Sequence, residues 1–137
     1  MITPQLKKNL IIMSVAALVG MTVGPAIVMY SIYSGVKTTC LRAKAAHPGD
    51  CMSALTAYIQ SDTHTFRERN KALWALGQLA DKKALPFLQE LEASYAMVNK
   101  CDHNTQVCPD EIYKAIKWSK KGNLTHYMYK NREQWGN

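Results

Sequence analysis

The chain has 137 residues, enough for one small domain besides any targeting or membrane segment. Its 17 Lys and Arg against 10 Asp and Glu give a net charge of +7, which suggests anionic lipid headgroups or an acidic partner surface. Nucleic acid is not expected, because no recognition motif, basic arm or aromatic-interleaved strand accompanies the charge.

From Asn9 through Val36 no residue is charged, and Leu10–Tyr33 is apolar apart from Ser14, Thr22 and Ser31. As a helix that run reaches about 36 Å, enough to cross a hydrocarbon core of about 30 Å with some tilt. A cleaved signal peptide is the competing reading, with Lys7 and Lys8 as its basic region. The run exceeds the usual apolar stretch of about 7–15 residues, and Gly24-Pro25 sits badly for a cleavage site, so a retained anchor is expected. Within it, Ala16, Gly20 and Gly24 recur every fourth residue. Such a small-residue stripe lets a second helix approach closely in lipid, and it is the expected transmembrane interface. Pro25 removes one backbone donor and favours a kink near mid-span. Tyr30 and Tyr33 lie at the exit end, where amphipathic rings favour the interface. Lys7 and Lys8 at one end nearly balance Lys37, Arg42 and Lys44 at the other, so flanking charge does not orient the helix.

All four cysteines, Cys40, Cys51, Cys101 and Cys108, fall outside the anchor. An even count in a small domain reads as disulfides in an oxidising space. Three connectivities exist, and the short spacings favour Cys40–Cys51 and Cys101–Cys108. This sets the expected topology: a single pass with the N-terminus cytoplasmic and the C-terminal domain extracytoplasmic, as at a bacterial inner membrane facing the periplasm. The basic domain argues the other way.

Helical signals dominate the rest, and no stretch alternates long enough for a strand. His47-Pro48-Gly49-Asp50 is a turn with an N-cap at Asp50, after which Cys51, Leu55, Tyr58 and Ile59 share a helix face. Ser61 to Thr65 is a polar linker, and Thr65 with Glu68 forms a capping box. The next helix turns Phe66, Leu73, Leu76 and Leu79 inward, with Ala72 and Ala75 allowing close packing, and stops near Asp81. A third runs through Ala84, Leu85, Leu88, Leu91 and Tyr95, with Pro86 tolerated in its first turn. Asn99 to Cys108 is a loop. Pro109-Asp110-Glu111 opens a fourth helix, Lys120 and Lys121 suit its negative end, and Gly122 closes it.

The core Ala72-Leu73, Ala75-Leu76-Gly77, Leu79, Asp81, Ala84-Leu85-Pro86 and Leu88 resembles a HEAT-like repeat over residues 67–91. Physically, Gly77 permits close helix approach and Asp81 satisfies free backbone donors. The resemblance implies a helical hairpin that acts by contact. HEAT-like units stack, and about three are needed for stability. At most two fit here, so further burial is expected from disulfides, the membrane or a partner. The expected fold is all-α: an N-terminal transmembrane helix (residues 1–36), a small HEAT-like antiparallel helical-hairpin domain (37–122) and an aromatic tail (123–137).

Lys114, Lys117 and Lys121 repeat along the fourth helix as a basic stripe, a solvated face or a contact for phosphate headgroups or an acidic subunit. The tail carries Tyr127, Met128, Tyr129 and Trp135 and is either the last layer of the core or a docking arm. These lysines, with Tyr127, Tyr129 and Trp135, are the expected partner or lipid contacts. Cys101, His103 and Cys108 share one loop, with His64 or His126 as a fourth donor for a metal. Their spacing is not a standard zinc pattern, so no metal or cofactor is expected. No Cys-x-x-Cys, nucleophile elbow or phosphate-cradling loop occurs, and Glu90/Glu92 and Asp110/Glu111 read as solvated helix faces. His47 and His64 read as ordinary surface residues, and the Asn123-Leu124-Thr125 sequon as silent. The expectation is a non-catalytic accessory or scaffold subunit of a larger membrane complex, with no small-molecule substrate. The alternatives are a transient assembly factor or a thiol- or metal-dependent protein using the Cys101/Cys108 loop.

Overall fold

The computed structural model describes residues 4–95 and 101–136, and those residues are all-helical, with no strand among them. Five α-helices run α1 (Pro4–Ala46), α2 (Cys51–Gln60), α3 (Phe66–Leu79), α4 (Leu85–Tyr95) and α5 (Pro109–Lys121). Single 3-10 turns follow at Lys82–Ala84, His126–Tyr129 and Arg132–Gln134. The chain divides into two compact units between Ile32 and Tyr33.

The first unit is the apolar part of α1. This helix is long and apolar enough to cross a membrane, and none of its most apolar window is buried. Ser14 donates to the Leu10 carbonyl at 2.8 Å and Thr22 to the Val19 carbonyl at 3.1 Å, so both hydroxyls are satisfied inside the helix. Pro25 is carried within α1, which continues unbroken to Ala46.

The second unit is set up by local caps. Asp50 accepts from the Ser53 backbone N–H at 2.7 Å and starts α2. Thr65 and Glu68 form the reciprocal capping box of α3, with Glu68 N–H to Thr65 Oγ1 at 3.3 Å and Thr65 N–H to Glu68 Oε2 at 3.0 Å. α3 ends at Ala80, whose φ of 51° is left-handed, and Asp81 then accepts from the Lys83 N–H at 3.0 Å. α5 begins on Pro109, has Asp110 and Glu111 in its first turn, and ends at Gly122, where φ is 78°.

α3 packs against both α2 and α5, and α4 against α5. The closest approach is at Gly77, where a Cβ would lie 2.9 Å from the Ala115 Cα. Leu55, Ile59, Leu73, Leu76, Leu88 and Ile112 are fully buried between these helices. Burying side chains of this size contributes about 1.5–3 kcal/mol each before conformational entropy is counted. Leu85, expected inside, is half-buried, because Ala84 and Leu88 hold the inward positions.

Two expected boundaries move. The end of α1 belongs to the second unit: Val36, Thr39, Cys40 and Ala43 are buried there, so the domain starts inside the helix and not at residue 37. The segment from 123 is not a separate tail either. Tyr129 is 0% exposed and Trp135 6%, and both rings meet Tyr33: Tyr129 stacks at 6.3 Å and Trp135 stands edge-on at 5.8 Å. Lys44 Nζ donates to the Trp135 carbonyl at 2.6 Å, fixing the turn from the α1 side. The start of the loop expected from Asn99 lies outside the described residues.

Candidate functional site

α3 presents Arg67, Asn70, Lys71 and Trp74 at i, i+3, i+4 and i+7, so one helix face carries two cations, an amide and an indole. Facing them are His103 and Asn104 of the loop before α5, and Glu111 in the first turn of α5. Together they line a groove of about 540 Å³. Asn70 builds it. This side chain is 3% exposed and holds the loop by three bonds: Nδ2 donates to the Gln106 carbonyl at 2.7 Å and the His103 carbonyl at 3.4 Å, and Oδ1 accepts from the Cys108 N–H at 2.8 Å. The Cys101–Cys108 disulfide, Cα–Cα 5.3 Å, closes the same loop.

The groove's charge is unbalanced. Lys114 binds the Glu111 carboxylate at 2.9 Å, and this hydrogen bond raises the Lys114 pKa and offsets the acid. The Asp102 carboxylate accepts from the Asn104 backbone and side-chain amides at 2.9 and 3.2 Å. Arg67 and Lys71 are exposed and form no ion pair with the described residues. Trp74 lines the groove, and the outer edge of its ring lies beside Gly35, where an added Cβ would come within 3.2 Å of it.

The sequence-predicted residues fall into three groups. The cysteines come together as Cys40–Cys51, Cα–Cα 5.4 Å, and Cys101–Cys108, leaving none free. The donor atoms of Cys101, His103 and Cys108 lie within 4.8 Å of one another, but both sulfurs are committed to the disulfide. The fourth donors considered are engaged elsewhere: His64 on His47, and His126 Nδ1 against the Asn123 carbonyl at 2.6 Å. Ala16, Gly20 and Gly24 stand exposed, and a Cβ on either glycine meets nothing within 4 Å.

Lys114, Lys117 and Lys121 are exposed along α5, and Tyr127 is 54% exposed. Tyr129 and Trp135 are a correction. As core residues they cannot also serve as an outer contact, because their rings are used up against Tyr33 and each other. Burial pushes the Tyr129 phenol upward. The sequon is structural in this fold: Asn123 Nδ2 donates to the Gln78 carbonyl at 3.0 Å, and the Thr125 hydroxyl sits 2.7 Å from Gln78 Oε1.

Sequence reasoning missed two features. One is the groove, whose i, i+3, i+4, i+7 pattern was legible on α3 but whose opposite wall comes from a loop more than 30 positions away. The other is a histidine pair. His47 Nε2 and His64 Nε2 are 3.1 Å apart, the His64 ring stacks on Tyr58 at 3.5 Å, and His47 meets Tyr58 edge-on. The two histidines are 17 positions apart, and no local signal joins them. Burial raises the Tyr58 pKa, so the phenol stays neutral beneath the pair.

Comparison with protein-family models, curated proteins and solved structures finds no match.

Proposed function

We propose that this chain is a non-catalytic, membrane-anchored accessory or scaffold subunit that holds a larger membrane complex by contact. The observation that carries this is the bare small-residue stripe of α1. In an apolar helix with no intrachain cover, Ala16, Gly20 and Gly24 leave a flat face that only another helix fills well. The domain adds exposed contact residues: Lys117 and Lys121 on α5, and Tyr127 beyond it. The HEAT-like pattern of α3 and α4 fits the same role. Two disulfides favour an oxidising compartment, which supports a cytoplasmic N-terminus and an extracytoplasmic domain facing a bacterial periplasm.

The test is mild detergent extraction, purification through this chain, and mass spectrometry of the proteins retained. Gly20→Leu and Gly24→Leu block close approach and are expected to remove the partner while the chain still resists alkaline extraction. Unchanged recovery in both variants would show that the stripe is not an interface.

A further inference from the structure

The geometry points to a phosphate-binding groove on the domain, formed by Arg67, Lys71, His103 and Trp74, whose ligand is the headgroup of an anionic phospholipid. The inference rests on the reading of α1 as a membrane anchor and deepens it by naming a lipid class and a site.

Three observations converge on it. The first is charge. Arg67 and Lys71 lie one helical turn apart on α3, both exposed and both without a described counter-ion. Of the acids nearby, Glu111 is paired with Lys114, while Asp102 keeps its charge, accepting only from the neutral Asn104 amides, and does not line the groove, where Arg67 and Lys71 outweigh it. What remains is a cavity with net positive charge. An Arg fork supplies a planar pair of donors for phosphate oxygens, a Lys supplies a mobile point charge, and His103 adds a ring nitrogen from the opposite wall.

The second observation is preorganisation. Buried Asn70 and the Cys101–Cys108 bridge hold the far wall in place, so the groove exists before any ligand arrives. A solvated lysine face, such as that at Lys117 and Lys121, has no such opposite wall.

The third is depth along the chain. Trp74 rests on Gly35, two residues beyond Tyr33, where the apolar run ends. The headgroup layer is covered by about three to five residues of helix past the hydrocarbon edge. Chain connectivity therefore keeps Gly35, and the indole against it, at headgroup level. Tryptophan favours that layer, and Arg67 and Lys71 lie one to two turns from it on the same helix. An acidic peptide would be drawn by the same cations, but nothing about a peptide calls for an indole at that depth.

The experiment uses the full chain in detergent, offered an equal mixture of phosphatidylglycerol and phosphatidylcholine, with retained lipids counted by native mass spectrometry. Two cations near the headgroup predict a preference of roughly 30-fold for phosphatidylglycerol. The double variant Arg67→Glu/Lys71→Glu should lose that preference, and Arg67→Gln/Lys71→Gln should lose most of it. A control of equal charge change, Lys82→Glu/Lys130→Glu, should keep it. Equal retention of both lipids by the unaltered chain, or a preference surviving in the Arg67/Lys71 variants, overturns the assignment. Competition by inorganic phosphate as effective as that by phosphatidylglycerol would overturn the lipid and leave a soluble phosphate as ligand. Extraction of the unaltered chain by alkali would refute the anchor itself, a result distinct from loss of lipid preference.

Discussion

Arg132 binds the carboxylate of Asp81, joining the last turn of the domain to the hinge between α3 and α4 across 51 positions of sequence. Both side chains are mostly buried, 22% and 17% exposed, so the pair is shielded from solvent more than a surface ion pair is. Asp81 also caps the following 3-10 turn through the Lys83 N–H. Arg132→Ala is expected to cost about 1.5–3 kcal/mol, the range for a hydrogen bond to a charged group. Asp81→Ala should cost more, since it adds a lost cap of about 1 kcal/mol. Chemical denaturation of the two variants checks the order, and hydrogen exchange at 123–136 should rise in both.

Gly77 should resist the gain that alanine normally brings to a helix. Alanine is worth up to about 1 kcal/mol over glycine in a helix interior. At this position its methyl would sit 2.9 Å from the Ala115 Cα, which is backbone and cannot swing aside. Overpacking of this kind costs about 1–3 kcal/mol, so Gly77→Ala should destabilise. A thermal melt of the variant above that of the unaltered chain would show that α3 and α5 can move apart freely.

Reduction should act differently at the two bridges. Cys40–Cys51 ties α1 to α2 over 11 positions and is fully buried, while Cys101–Cys108 closes 7. The loop-entropy account gives roughly 2–3 kcal/mol for closures of this length. Cys40→Ala/Cys51→Ala should lower the melting temperature by that equivalent. Cys101→Ala/Cys108→Ala should instead loosen the groove wall around His103, seen as faster hydrogen exchange at 101–108.

Acid should fray two helix starts. The Ser53 backbone N–H holds Asp50 below its usual carboxylate range, and the Thr65 hydroxyl and N–H do the same for Glu68. Carboxylates with lowered folded values stabilise the fold fully above their unfolded values of about 3.9 and 4.3, and that contribution fades as pH falls through the folded ones. Loss of stability from these caps is therefore confined below about pH 4. Melting curves of Asp50→Asn and Glu68→Gln should be lower than the parent at neutral pH and converge with it in acid. A constant offset at every pH would mean the carboxylate charges do not matter.

The caps at Asp50 and Thr65–Glu68, the start at Pro109 and the stop at Gly122 were legible in the sequence because each is decided within four residues. The inward face of α3 was legible for the same kind of reason, through its period. The burial of Val36, Cys40 and Ala43 was hidden, because Lys37, Arg42 and Lys44 interleave with them and break the apolar pattern there. Tyr129 and Trp135 left two readings open, and only the tertiary position of Tyr33 chooses between them. The groove needed two elements more than 30 positions apart to meet through Asn70. The His47–His64 pair needed the turn after α1 and the linker after α2 to converge.

Tyr33 opens the second unit, and the rings that cover it arrive last, at Tyr129 and Trp135. Synthesis runs from one to the other. While residue 135 is still inside the ribosome, the aromatic layer around Tyr33 has no lid and the hinge at Asp81 has no Arg132. The core of this unit is therefore incomplete until residues 129–135 have emerged. Released chains truncated before residue 129 should remain sensitive to protease even with α2 to α5 complete, and chains that extend past residue 135 should become resistant in one step.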